Sequence, residues 1–228
     1  MKKAVIIIGV ILLVGVLGLS LFVSPKTVEY EADYLGIDYS TDSHEVSLNY
    51  DTNNPVVAMK VENYGSIVME LYPSVAPNTV NNFISLVKSG FYDHNSFHRL
   101  VPGFVLQGGD PTGNGAGGPG YSIFGEFTIN GFNNTLSHTK WVISMARESQ
   151  NLNSAGSQFF ICIEDATSLD GQYASFGKVI DGFKAIEEIA KRERVADQES
   201  GKLVHNVVIE KSVIDLKGKT YPEVQKMN

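Results

Sequence analysis

Residues 96–120 read SFHRLVPGFVLQGGDPTGNGAGGPG, an apolar half followed by one of the most glycine-dense runs in the chain. Phe97, Leu100, Val101, Phe104, Val105 and Leu106 have the composition of strand, and a single arginine, Arg99, interrupts them. A guanidinium in such company needs a purpose. The spacing from Arg99 to Gln107 permits both on one face, with Pro102-Gly103 as the point where register can break. The glycine run contains no Gly-Lys-Ser/Thr and opens no helical pattern, so its use is backbone room and not a phosphate cradle.

Further along the chain, SQFFICI places Gln158 and Phe160 on one face and Phe159 and Ile161 on the other. Arg99, Gln107 and Gln158 are thus long hydrogen-bonding side chains set in strands otherwise rich in Phe, Val, Leu and Ile, while Phe104, Phe159, Phe160 and Phe176 supply aromatic area. Other chemistry finds no support. Asp93, His94 and His98 would face one way only on a helix, which Gly90 and Pro102 oppose, so no metal site is expected. No G-x-S-x-G elbow is present to carry hydrolase chemistry. Cys162, the single cysteine, lies in an apolar run and reads as a buried small hydrophobe.

The flanking segments read differently from one another. VVAMKVENYGSIVMELY is a pair of strands around a turn at Asn63-Tyr64-Gly65. Val80, Phe83, Ile84 and Val87 form a helical stripe stopped by Gly90, and a second helix runs over about Gly182–Arg194 with Phe183, Ile186, Ile189 and Ala190 inward. FVLQGG, WVISMA, QFFICIE, ASFGKVI and HNVVIEKSVI are further strands. Many short strands with two helices predict a mainly β barrel or sandwich.

With 228 residues, 43% apolar composition and 22 glycines, the chain has material for one sizeable core plus appendages. The appendages are an apolar segment over residues 1–25, an acidic spacer over 26–55 and a polar tail over 218–228, around a domain at 56–217. Lys2 and Lys3 precede Ala4–Val23, twenty uncharged residues, and a helix of that length spans about 30 Å, the thickness of a bilayer's hydrocarbon core. This reads as a retained membrane anchor with the rest of the chain on the extracytoplasmic side; a cleaved signal sequence and a secreted chain is the alternative, with Gly18-Leu19-Ser20 as its exit. Residues 26–55 carry Glu29, Glu31, Asp33, Asp38, Asp42, Glu45 and Asp51 against Lys26, net −6 beside a chain total of −7, which reads as a spacer, while Tyr30, Tyr34, Tyr39 and Tyr50 keep open that part of it packs on the domain. Lys191, Arg192 and Arg194 are the only basic grouping, so nucleic acid is not an expected partner.

FHRLVPGFVLQGGDPTGNGAGGPG, ISMA, GSQFFICIEDATSLDG and FGKVIDG, in this order and spacing, resemble the cyclophilin family of peptidyl-prolyl cis–trans isomerases over about Val56–Leu216. The resemblance implies a closed eight-stranded antiparallel barrel capped by two α-helices, a groove on its outer surface, proline-containing polypeptide clients, no cofactor and a monomer. By motif position Arg99 resembles the catalytic arginine, and Phe104, Val105, Phe160 and Leu169 the proline pocket. His98, Gln107, Ala146, Gln158, Tyr173 and Phe176 resemble further groove positions. The chain departs from many members at Ser168, where they carry an aromatic, which implies weak cyclosporin binding. Val105 replaces a common Met, and ARESQNLNSAG reads about two residues longer than in the best-known members. Two functions stay open: an isomerase for exported or surface proteins, and a proline-gripping chaperone or scaffold with weak catalysis.

Overall fold

The structure, a computed structural model, describes residues 35–227. The apolar segment at 1–25 and the first part of the acidic segment lie outside the described residues.

Eight strands close on themselves. In chain order they are β1 (Val56–Val61), β2 (Gly65–Leu71), β3 (Ser96–Val101), β4 (Val105–Gly108), β6 (Val142–Met145), β7 (Phe159–Cys162), β8 (Ser175–Asp181) and β10 (Lys202–Asp215). Their order around the barrel is β1-β2-β8-β6-β7-β4-β3-β10, and β10 pairs back to β1. Every neighbouring pair is antiparallel. Closure leaves the ring with no open sheet edge. Three short strands sit outside it: β9 (Val195–Asp197) extends β10 as a hairpin, and β5 (Ser122–Ile123) pairs with β11 (Lys226–Met227). In the eight-strand ring β1 and β7 are four steps apart in either direction, so they are opposite walls.

Local chemistry explains the elements. Asn63 and Gly65 take φ of 64° and 93°, the left-handed values that a tight β1–β2 turn requires. Along β1, Val57, Met59 and Val61 point into the barrel and Val56 and Ala58 point out. Helix α1 (Pro77–Lys88) lays Val80, Phe83, Ile84 and Val87 on the interior, where Phe83 packs 5.3 Å from Phe159 and 5.0 Å from Phe176. No side chain of its own caps its first turn; the buried Glu126 carboxylate does so from a distance, accepting the Asn78 and Thr79 amides at 3.1 and 2.7 Å. Helix α2 (Phe183–Arg192) buries Ala185, Ile186 and Ile189 against the same core.

Residues 35–55 do not stand off the barrel as a spacer. Leu35, Ile37, Tyr39, Val46, Leu48 and Tyr50 cover the outward side chains Val56, Ala58, Val68 and Val213. The strap is hydrogen bonded as well: Val46 N–H donates to the Ile214 carbonyl at 2.9 Å, Leu48 N–H to the Asp215 carboxylate at 2.8 Å, and His44 Nε2 lies 2.7 Å from Asp93 Oδ2. Four carboxylates give this stretch its charge, while the six apolar residues between them decide where it goes. The C-terminal tail is likewise fastened, with Tyr221 and Val224 on the core and Gln225 N–H donating to Asn78 Oδ1 at 2.8 Å.

If the strap is part of the folding unit, Leu48→Ala lowers unfolding free energy by about 2–3 kcal/mol in urea titrations. An unchanged midpoint would mean that the barrel does not use it.

Candidate active site

The register of four strands builds a row of side chains on the barrel's outer wall. Arg99 on β3 pairs with Gln107 on β4, Gln107 with Phe160 on β7, and Phe160 with Ser144 on β6. Directly cross-strand residues share a face, so all four belong to one surface. Pro102-Gly103 does not disturb this register because it lies in the turn between β3 and β4, with Gly103 at φ 72°. The next row is Val101, Val105 and Cys162.

These two rows separate into a polar half and an apolar half. Val105, Phe160, Cys162 and Ala166 form a buried cluster distinct from the interior core, with Val101, Phe104, Ala146, Leu169 and Tyr173 half-exposed around it. The result is an apolar pocket on the outside of the barrel. Tyr173 meets Phe160 edge-on at 5.7 Å, and the buried His138 stacks on Phe160 at 6.0 Å. His138 is itself held by Asp170 through Nδ1 at 2.8 Å and by Ser144 Oγ through Nε2 at 3.0 Å.

Beside the pocket runs a chain of hydrogen bonds to neutral acceptors. Arg99 Nη1 donates to Gln107 Oε1 at 3.1 Å, and Gln107 Nε2 donates to Gln158 Oε1 at 3.0 Å. Gln158 Nε2 donates to the carbonyls of Gly115 and Gly117 at 3.0 and 2.9 Å. Arg99 Nε donates to the Ser200 carbonyl at 2.7 Å, which the β9–β10 turn brings over β3. Gly201, at φ 74°, makes that approach feasible, since a Cβ there would stand 2.8 Å from the Leu100 carbonyl. Burial lowers the Arg99 pKa, with the nearby Tyr173 pushing the other way, and the guanidinium stays charged. Among the described residues, its hydrogen-bond partners are all uncharged oxygens.

The glycine loop is the far support of this chain. Burial alone would raise the Asp110 carboxyl, yet donors from Thr112, Gly115 and Gly117 hold it at about 2. A side chain at Gly117 would collide with that carboxylate, so the loop needs the room that its composition provides.

Two residues expected in the groove lie elsewhere. Phe176 is fully buried in the barrel interior against Phe83. The pairing of β6 with β8 slips between Ile143 and Ser144, opposite Gly177 and Ser175, and this bulge turns Phe176 inward together with Val179. His98 is 4% exposed, and its Nε2 stands 4.0 Å from where a Cβ on Gly115 would be, so it backs the groove beneath the glycine loop. Sequence reasoning also missed the Ser200 carbonyl, a backbone group with no side-chain signal, and His138, whose place under Phe160 depends on a long-range fold.

Comparison with known proteins places this geometry. Residues 56–214 match the family described as cyclophilin type peptidyl-prolyl cis-trans isomerase/CLD. Peptidyl-prolyl cis-trans isomerase-like 1 of Gibberella zeae is 45% identical over 126 residues, covering 55% of this chain and 75% of the relative. The peptidyl-prolyl cis-trans isomerase of Helicobacter pylori is 38% identical over 153 residues, covering 66% of this chain and 85% of the relative. The crystal structure of a Cryptosporidium parvum cyclophilin type peptidyl-prolyl cis-trans isomerase, determined in the presence of the dipeptide Ala-Pro, aligns with a TM-score of 0.61 at 34% identity, covering 70% of this chain and 98% of that one.

Burial holds both His98 and His138 below the ordinary value of 6.5, for His138 in spite of Asp170. Neutral imidazoles are thus favoured by the fold. Stability is full above pH 6.5 and declines as acid protonates these groups in the unfolded chain first. Urea titrations from about pH 7 to about pH 5 are expected to show falling stability, with a flatter slope in His138→Gln. The same slope in that variant would remove His138 from the balance.

Proposed function

The chain belongs to the cyclophilin-type peptidyl-prolyl cis–trans isomerases, and on that premise we propose that Arg99 is its catalytic residue and that it serves exported or surface proteins from a membrane-tethered position. An X–Pro amide resists rotation by about 18–20 kcal/mol because its C–N bond is partly double. Conjugation is lost in the twisted transition state, and the proline nitrogen regains a lone pair able to accept a hydrogen bond. A guanidinium aimed at that nitrogen interacts little with the planar amide and more with the twisted one, which is the differential binding that lowers a barrier.

The observation that carries this reading is the position of Arg99: fixed through Nε and Nη1, with no hydrogen-bond partner on Nη2 among the described residues, at the edge of an apolar pocket. Val105, Phe160 and Leu169 would seat the proline ring, with Phe104, Ala146 and Tyr173 around it, while Gln107 and Gln158 hold the flanking peptide. One charge-assisted hydrogen bond contributes about 1.5–3 kcal/mol, and millisecond turnover needs about 6–7 kcal/mol off the barrier. Confinement of the peptide supplies the remainder. With Ser168 where an aromatic would stand, cyclosporin binds weakly.

The placement rests on the sequence of residues 1–25, which lie outside the described residues; among the described residues no helix is long and apolar enough to cross a membrane. One structural observation supports it. The strap covers outward side chains of β1, β2 and β10, on the wall opposite β7, so the described chain begins on the side away from the groove. Slow proline steps limit folding of chains that emerge unfolded, which gives such a position a use.

Arg99→Ala is expected to cut isomerisation of a proline peptide roughly 10- to 100-fold, read as exchange between cis and trans signals by NMR, with the barrel still folded. Undiminished exchange removes Arg99 from the mechanism, and binding without exchange in the unaltered protein favours a scaffold role. The full chain is also expected to sediment with membranes and a chain lacking residues 1–25 to stay soluble. Soluble full-length protein would contradict the tether.

A further inference from the structure

A second hollow adjoins the apolar pocket. It has a volume of about 670 Å³, is walled by the glycine loop from Gly115 to Tyr121, and borders Ala146 and Gln158, which also flank the pocket and the hydrogen-bonded chain. A peptide whose proline sits in the pocket therefore runs a neighbouring residue past this hollow.

The hollow's charge is set by Arg147, two residues beyond the end of β6. Its guanidinium lies 4.7 Å from the Tyr173 ring and 5.4 Å from the Phe127 ring, and Tyr173 packs in turn on Phe160 of the pocket. Nε donates to the Gln172 carbonyl at 3.0 Å, and Nη1 to the carbonyls of Glu148 and Ser149, each at 2.9 Å. Among the described residues this arginine is held by rings and carbonyl oxygens, so its charge is oriented without being neutralised, and its Nη2 has no hydrogen-bond partner there. Lys226 on β11 sets its ammonium 4.2 Å from the ring of Tyr121, which lines the same hollow. Glu148 is the one carboxylate among the described residues lining the hollow; it is exposed and forms no ion pair with Arg147. The acidic residues Asp38, Asp42, Glu45 and Asp51 belong to the strap on the opposite wall.

We propose that Arg147 makes this groove select proline segments that carry a carboxylate side chain beside the proline. The inference rests on the isomerase reading of the groove and adds a substrate class to it. A planar guanidinium whose conformational entropy is already spent meets a carboxylate through its unpaired Nη2, and Lys226 adds to the local potential.

The test uses the full chain and an alanine-based peptide with a single proline, in which Glu or Lys is placed in turn at each position flanking the proline. Affinity is read by NMR titration and turnover by cis–trans exchange on the same samples. At one flanking position the Glu peptide is expected to bind about fivefold more tightly than the Lys peptide at low salt, with the ratio shrinking as salt is raised. The ratio is expected to persist in Arg147→Lys, vanish in Arg147→Gln, reverse in Arg147→Glu and grow in Glu148→Gln. Each ratio is taken within one protein, so a general loss of folded material lowers both peptides alike. Equal affinity for Glu and Lys peptides at every position, or a preference unmoved in Arg147→Gln, overturns the inference. A Glu preference without enhanced exchange upholds it and overturns the isomerase reading; enhanced exchange without a preference does the reverse.

Discussion

Everything in the groove depends on keeping one positive charge fixed beside an apolar pocket without cancelling it. A carboxylate partner would fix Arg99 firmly and neutralise it; water alone would leave it charged and loose. The chain uses amide and carbonyl oxygens. Because Gln158 gives its N–H groups to Gly115 and Gly117, its oxygen is turned to Gln107, whose own oxygen is then turned to Arg99. The origin of that order is the Asp110 carboxylate, which gathers the Thr112, Asn114 and Gly115 amides and folds the glycine loop. An acid buried in a loop thus sets the orientation of a base on a strand through neutral groups only.

The barrel contributes by having two sides. Each strand alternates, so the same few strands build the interior, where Phe97 and Phe159 surround Phe83 of α1, and an exterior cluster around Val105, Phe160 and Cys162. On the opposite wall the exterior is apolar too, and there the strap closes it with Leu48 and its neighbours. One apolar outer face is covered by the chain itself and the other is left open between polar rims. The open one carries the proposed site, and its floor is stiffened from behind by His138 between Asp170 and Ser144.

Much of this was legible from residue order. Alternation put Gln158 and Phe160 on one face, the Asn63-Gly65 pair marked a turn, and the spacing of Val80, Phe83, Ile84 and Val87 marked a helix; each of these depends on neighbours close in sequence. What was not legible depends on distant pairing. A bulge on β8 reverses the parity of Phe176, a change that no local pattern announces. The strap was half legible: Tyr39 and Tyr50 kept packing on the domain open, while the seven carboxylates of residues 26–55 drew the reading toward a spacer, although the alternation around Val46 and Leu48 is that of a chain lying on a surface. The Ser200 carbonyl could not be read at all, because which backbone oxygen reaches Arg99 is fixed by the β9–β10 turn and not by the identity of the side chain there.

If Arg99 acts by a charge that its neighbours orient but leave intact, Gln107→Glu cancels that charge with almost no change of shape. The introduced carboxylate is expected to pair with Arg99 and lower kcat about tenfold or more, beyond any change in KM from loss of the Gln107 amide. A kcat equal to that of the unaltered protein, with the introduced carboxylate paired to Arg99, would contradict that role for Arg99.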